Sequence, residues 1–265
     1  MSRRRASVLF RDGLHYRKSC FSHGLEVNGF EVCSYIGNPT ENDLIVVWNR
    51  SLRSADDADR FARAGATVLV AENGLLGKHW KGGNWYSLAF DHVAGAGGHW
   101  PHGGPSRWDS FGIDLKPWRT GGDEVVFMGQ RSIGERGIKS PPDWAQQRCR
   151  ELGGRVRLHP GKHDPTVTLE EDLSRARACA TWASSAGLQA LVLGVPVWYE
   201  HPNWVGGPAS RHISEWGTSE PVRDDELRIS MFRRVAWAMW NIEEIDSGEA
   251  FRHLLLSAQE DRRAA

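Results

Sequence analysis

The chain has 265 residues, 40% hydrophobic and 25% charged, with 33 basic and 33 acidic side chains. This is an ordinary globular composition, and no apolar run approaches the roughly 20 residues that a membrane-spanning helix needs. Four cysteines without C-x-x-C spacing argue against a disulfide framework or a thiolate metal site. The basic start "MSRRRASVLF" has too short an apolar run for a secretory signal, so the expected location is the cytoplasm. Charge is unevenly spread, +5 over residues 1–160 and −5 over 161–265, which weakly favours an anionic partner on the N-terminal half.

"ASVLF" reads as a strand, and "SCFSHGLEVNGFEVCSYIG" as a helix, a glycine stop and a second strand. "DLIVVWN" (43–49) is apolar throughout, the pattern of a strand covered on both faces in a parallel sheet. A helix with Ser54 as N-cap follows, then a break at Gly65 and the strand "TVLVAE". Residues 78–122, rich in glycine, proline and tryptophan, show no periodicity and read as one long loop. "DEVVFMG" restarts the rhythm, followed by a helix over "PPDWAQQRCRELG" and a strand in "GRVRLHPG". A helix and strand in "TLEEDLSRARACATWA", a helix starting near Ala186 and the strand "VPVWYE" complete it, and the C-terminus reads as two helices broken near Asp246–Gly248. The expected fold class is α/β, two Rossmann-like domains over residues 1–120 and 121–265, the second carrying the C-terminal helices.

Ligands of open parallel sheets gather at the carboxyl ends of strands, and four such ends carry suitable chemistry. Glu72, before Asn73 and Gly74, suits either a general base or a structural hydrogen-bonding acid. Gly129 and Gln130 precede Arg131, a backbone turn plus guanidinium suited to a phosphate. His159 is held extended by Pro160, and Ser184 and Ser185 stand where a helix N-terminus offers amides and a cap. His99 and His102 lack a carboxylate or thiolate partner at suggestive spacing, so no metal site is expected.

The set "ENG" (72–74), "GQ" (129–130), "HP" (159–160) and "SS" with "GLQALVLGVPV" (184–197) resembles the GT-B nucleotide-sugar glycosyltransferases. It is most similar to the capsule-polysaccharide Kdo-transferase and bacterial sialyltransferase groups. The resemblance implies two domains facing a cleft, with Glu72 as the base on the acceptor hydroxyl. His159, Ser184 and Ser185 would then hold the donor phosphate, and Gly129, Gln130 and Arg131 would lie beside it. The donor would be a UDP- or CMP-sugar, with no further cofactor required. The second acid of the family's acidic pair is Asn73 here, which leaves Asp91 and Asp109 as substitute bases.

Asp91, His92, Arg107 and Trp108, in the long loop, are the candidate acceptor contacts. Two acceptors fit: a glycan, as in capsule-type enzymes, or a hydroxymethylated pyrimidine in viral DNA, as in a phage DNA glycosyltransferase. The Trp/His/Arg loop and the lack of a basic amphipathic anchor tilt the expectation to DNA, placing the protein in the host cytoplasm if viral. The remaining readings are a non-catalytic nucleotide- or carbohydrate-binding module and a sugar-nucleotide epimerase. The sequence leaves the oligomeric state open.

Overall fold

The computed structural model describes residues 4–11, 13–14, 16–51, 53–161 and 167–264, the side chains of 53 and 257–264 apart. It divides into two compact units, residues 1–103 with 237–265, and residues 104–236.

The first unit opens with β1 (Arg5–Leu9), α1 (Lys18–Val27), β2 (Glu31–Cys33), β3 (Leu44–Trp48), α2 (Arg53–Arg63) and β4 (Thr67–Asn73). These strands run parallel in the order β4-β3-β1-β2. Leu44, Ile45, Val46 and Val47 are all inaccessible to solvent, as an unbroken apolar strand requires. Ser54 does not cap α2: it lies inside the helix, its hydroxyl donating to the Ser51 carbonyl at 2.6 Å.

The supposed loop holds a strand. β5 (Trp85–Phe90) is buried along its whole length and runs antiparallel to β4, with Glu72 opposite Ser87. Gly74 makes the approach possible, because a Cβ there would lie 2.8 Å from that of Trp85.

The second unit comprises α3 (Ser106–Phe111), β6 (Glu124–Met128), α4 (Trp144–Leu152), β7 (Arg155–Arg157), α5 (Leu169–Asp172), β8 (Ala176–Thr181), α6 (Ser185–Val192), β9 (Val197–Tyr199), β10 (Arg211–His212) and α7 (Asp225–Ala236). Its five strands are all parallel, in the order β10-β9-β8-β6-β7. Counted within the unit this is the doubly wound order 2-1-3-4-5, whose switch point falls between β6 and β8. Helix α4 covers one face through Trp144 and Ala145, which pack with Phe127, Ala178 and Ala180. Thr181 alternates to the other face, where its methyl group approaches Gly187 of α6.

The chain then returns to the first unit. β11 (Met239–Asn241) pairs antiparallel with β5, and α8 (Ile242–Asp246) and α9 (Glu249–Ala264) follow. The division therefore differs from a single junction at residue 120 with the C-terminal helices on the second domain. The reason is physical: Met239 and Trp240 are buried at 0% and 1% exposure, and Phe251 of α9 meets Phe21 of α1.

Candidate functional site

In the second unit the expected donor residues stand at neighbouring strand ends around the switch point. Gln130 follows β6, His159 follows β7, and Ser184 follows β8, three neighbouring strands. The Gln130 side-chain oxygen accepts from the Ala183 N–H at 3.0 Å, tying the end of β6 to the start of α6. Gln130 thus shapes the crevice instead of leaving its carbonyl to a ligand.

Ser184 caps α6: its hydroxyl oxygen accepts from the Ala186 N–H at 3.1 Å, while its own N–H donates to Thr181 Oγ1 at 2.9 Å. The Gly187 N–H donates to the Ser184 carbonyl. The anion-binding end of the helix is therefore narrower than a row of free amides. Among the described residues it offers the Ser185 N–H, the exposed Ser185 hydroxyl and the hydroxyl proton of Ser184.

Gly129 has a different job from the one expected of it. Its N–H donates to the Arg157 carbonyl at 2.8 Å, so that amide is closed to a phosphate. A Cβ at this position would stand 3.1 Å from the same carbonyl oxygen, which explains the glycine by chain packing.

His159 accepts the Gly161 N–H on Nδ1 at 2.8 Å, which leaves the proton of the neutral ring on Nε2. Partial burial, with the charges of Arg131 and Arg157 nearby, holds its imidazole below the ordinary value. The ring is thus a neutral Nε2–H donor at neutral pH, and Arg131 is exposed beside it.

His159, Gln130 and Arg131 line a cavity of about 270 Å³ whose opposite wall is the first turn of α4, from Asp143 to Gln146. That helix end is fixed by a residue the sequence reading missed. Glu200, just past β9, accepts from Trp144 Nε1 at 2.7 Å and from Arg148 Nε and Nη2 at 2.7 and 2.6 Å. Burial works against the charge, but these bonds from Arg148 and Trp144 hold the Glu200 carboxyl below its ordinary range. Glu200→Ala leaves the Trp144 N–H without its partner and leaves Arg148 only Glu151, with an expected loss of about 2 kcal/mol in urea unfolding.

The first unit carries Glu72 at the carboxyl end of β4, half-buried. Desolvation pushes its carboxyl from the ordinary 4.5 up to about 7. Among the described residues no hydrogen bond or ion pair reaches it, and the facing Ser87 hydroxyl donates instead to the Asn73 carbonyl at 3.2 Å. A carboxyl desolvated, unpaired and poised near neutrality is chemically suited to take a proton.

Asp91 and His92, two of the expected acceptor contacts, do not join it. The Asp91 N–H donates to the Val68 carbonyl, so Asp91 and His92 sit beside the start of β4, the end opposite Glu72. Their turn is tied to Arg50, which donates to the Asp91 carbonyl, and Asp91 lies 3.8 Å from His99. Arg107 and Trp108 belong to α3 in the second unit, where Trp108 is 3% exposed and stacked on Phe232 at 4.7 Å. Arg107 donates to the Ala236 carbonyl at 2.9 Å. Asp109, the other substitute base, lies 3.9 Å from Arg233 on the same unit. Among the described residues no cluster of three metal-ligating side chains occurs, and no helix is long and apolar enough to cross a membrane.

No protein-family model and no curated protein matches this chain. Among solved structures it is similar to the KpsC β-Kdo 2,7 transferase of Thermosulfurimonas dismutans, at 12% identity and a TM-score of 0.57, over 94% of this chain and 99% of that one. It is also similar to the KpsC β-Kdo 2,4 transferase of the same organism, at 16% identity and a TM-score of 0.50, over 91% and 98% of the two chains. At such identities the likeness is one of fold, and the fold is shared over nearly the full length of both chains.

Proposed function

We propose that the protein is a glycosyltransferase that moves a sugar from a nucleotide-sugar donor to a hydroxyl of a glycan. The observation that carries this reading is the tie between Gln130 and the α6 N-terminus at the switch point of the second unit, with His159 beside Gln130 on the wall of one cavity. An Nε2–H, two hydroxyls and one free amide suit a donor's phosphate, with Arg131 adding positive charge. The cavity against α4 has room for part of the nucleotide.

Glu72 would supply the other half of a displacement at the anomeric carbon. Its carboxylate takes the proton of the attacking hydroxyl as the new C–O bond forms, while the C–O bond to phosphate breaks and its electron pair leaves with the nucleotide. His159 and the α6 end stabilise the negative charge that gathers there. This scheme uses no metal.

A glycan acceptor is favoured over DNA on two grounds. The fold neighbours are by title Kdo transferases. The residues that suggested a DNA-reading loop are also otherwise engaged, Trp108 in packing and Asp91 and His92 at the far end of β4. The donor is a CMP- or UDP-sugar.

Thermal-shift titration with CMP, UDP and GDP tests the donor site. Ser184→Ala with Ser185→Ala should weaken binding of the stabilising nucleotide at least tenfold, while the lost cap costs only about 1 kcal/mol of stability. A double variant that binds as the parent does would remove the phosphate from α6. An unaltered nucleotide affinity in Glu72→Gln, together with lost transfer, separates an enzyme from a binding module.

A further inference from the structure

A second recess, of about 350 Å³, lies in the second unit away from the donor residues. Its floor is Val125 and Ala178, strand-paired residues in the amino-terminal halves of β6 and β8, whereas Gln130 and Ser184 follow the carboxyl ends of those strands. Its wall is Trp198 and Trp216, whose rings form an open V, 5.0 Å between centroids at 50°. Neither indole N–H has a hydrogen-bond partner among the described residues. Val125, Ala178 and Trp198 are 3%, 2% and 5% exposed and belong to the core, so the indole left open to a flat, partly apolar ring is that of the half-buried Trp216.

The rim is charged and pre-shaped. Arg177 is exposed and has no ion-pair partner among the described residues. Arg223 is anchored by its Nε to the Arg119 carbonyl at 3.1 Å, and its nearest carboxylate, Glu220, is 3.9 Å away and 89% exposed. The covering turn is held rigid from inside: Glu215 accepts from Ser219 Oγ at 3.1 Å and from Arg211 at 3.0 Å, and its carbonyl accepts from the Thr218 and Ser219 amides. Such a turn needs little ordering when a ligand arrives.

We propose that this recess is a secondary glycan site that holds an acidic sugar residue, its ring against Trp216 and its carboxylate against Arg177 and Arg223. The choice of a sugar as ligand rests on the transferase reading, while the acidic preference rests on the two guanidiniums. A site remote from the donor residues would keep a growing acidic chain attached between transfers, raising its local concentration.

Calorimetric titration of the full chain with a galacturonic acid trimer and with maltotriose, at low salt, tests it. The expected result is saturable binding of the acidic trimer at least tenfold tighter than the neutral one. Arg177→Ala, a change at an exposed side chain, should remove at least fivefold of that preference, and Trp216→Phe should weaken both trimers. Ser184→Ala with Ser185→Ala should leave this binding unchanged. No saturable binding, equal binding of the two trimers, or indifference to Arg177→Ala would overturn the proposal. Acidic-trimer binding that responds to Arg177→Ala in a protein that binds no nucleotide would uphold the recess and discard the transferase reading.

Discussion

Glu72→Gln is expected to make the protein more stable at pH 8 and, under the proposed transferase function, to cut transfer steeply. A carboxyl that titrates near 7 in the folded chain and near 4.5 as its ordinary value binds its proton more tightly when folded. Below pH 4.5 both states are protonated and that advantage is fully present; it is lost as pH rises through 7, where folding must desolvate a charge. Each tenfold of proton affinity is worth about 1.4 kcal/mol, so neutral glutamine should gain about 2 to 3 kcal/mol at pH 8 and almost nothing at pH 4. Calorimetric melting at the two pH values reads this directly. The activity loss should be about 10²- to 10⁴-fold, the usual worth of a general base. A variant both more stable and inactive marks a residue kept for chemistry at the expense of the fold. Equal stability at pH 8 would show that the carboxyl is well hydrated, and retained transfer would move the base elsewhere.

Gly194→Ala is expected to be the most damaging single methyl group in the second unit. Gly194 follows α6 with φ at +72°, and a Cβ there would fall 2.1 Å from the Pro117 carbonyl oxygen and 2.9 Å from that of Lys116. The segment 116–119 is pinned against it, Lys116 N–H to the Val192 carbonyl at 2.9 Å and Arg119 N–H to the Gly194 carbonyl at 2.8 Å. Buried Arg228 fixes the same segment from behind, donating to the Lys116 and Leu191 carbonyls. Backbone cannot swing aside as a flexible side chain can, so strain and clash together should cost about 3 to 5 kcal/mol. Gly153→Ala is the control: its φ is +77° but nothing lies within 4 Å of the new methyl, so about 1 kcal/mol is expected. Urea unfolding of the pair separates conformational strain from collision. Equal losses would mean that the Pro117 contact yields.

What the sequence revealed depended on the range of the forces involved. The strand Leu44–Trp48 and the cap at Ser184 were legible because each is decided by its immediate neighbours, an unbroken apolar run and a hydroxyl two residues before an orphan amide. Trp85–Phe90 was not legible, since "WYSLAF" neither alternates nor stands clear of its glycine-rich flanks, and only its partner β4 makes it a strand. β11 was hidden in the same way, three residues in an apolar run that reads as helix until β5 pairs with it. At the site, residue types at strand ends were readable, but their availability was not. Gln130 spends its oxygen on Ala183, 53 positions away, and Trp108 spends its ring on Phe232. No local pattern announces either contact, nor the bond of Glu200 to Arg148.

The return of the chain at Trp237 bears on the order in which the protein is made. Residues 104–236 form a continuous unit inserted within a discontinuous one. During synthesis the inserted unit emerges whole, with every strand of its parallel sheet, while the other still lacks β11 and the helix that brings Phe251 to Phe21. Domains fold as units as they leave the ribosome. The unit begun earlier is therefore finished later, and until then β5 waits with one edge unpaired, open to any strand that reaches it before its own.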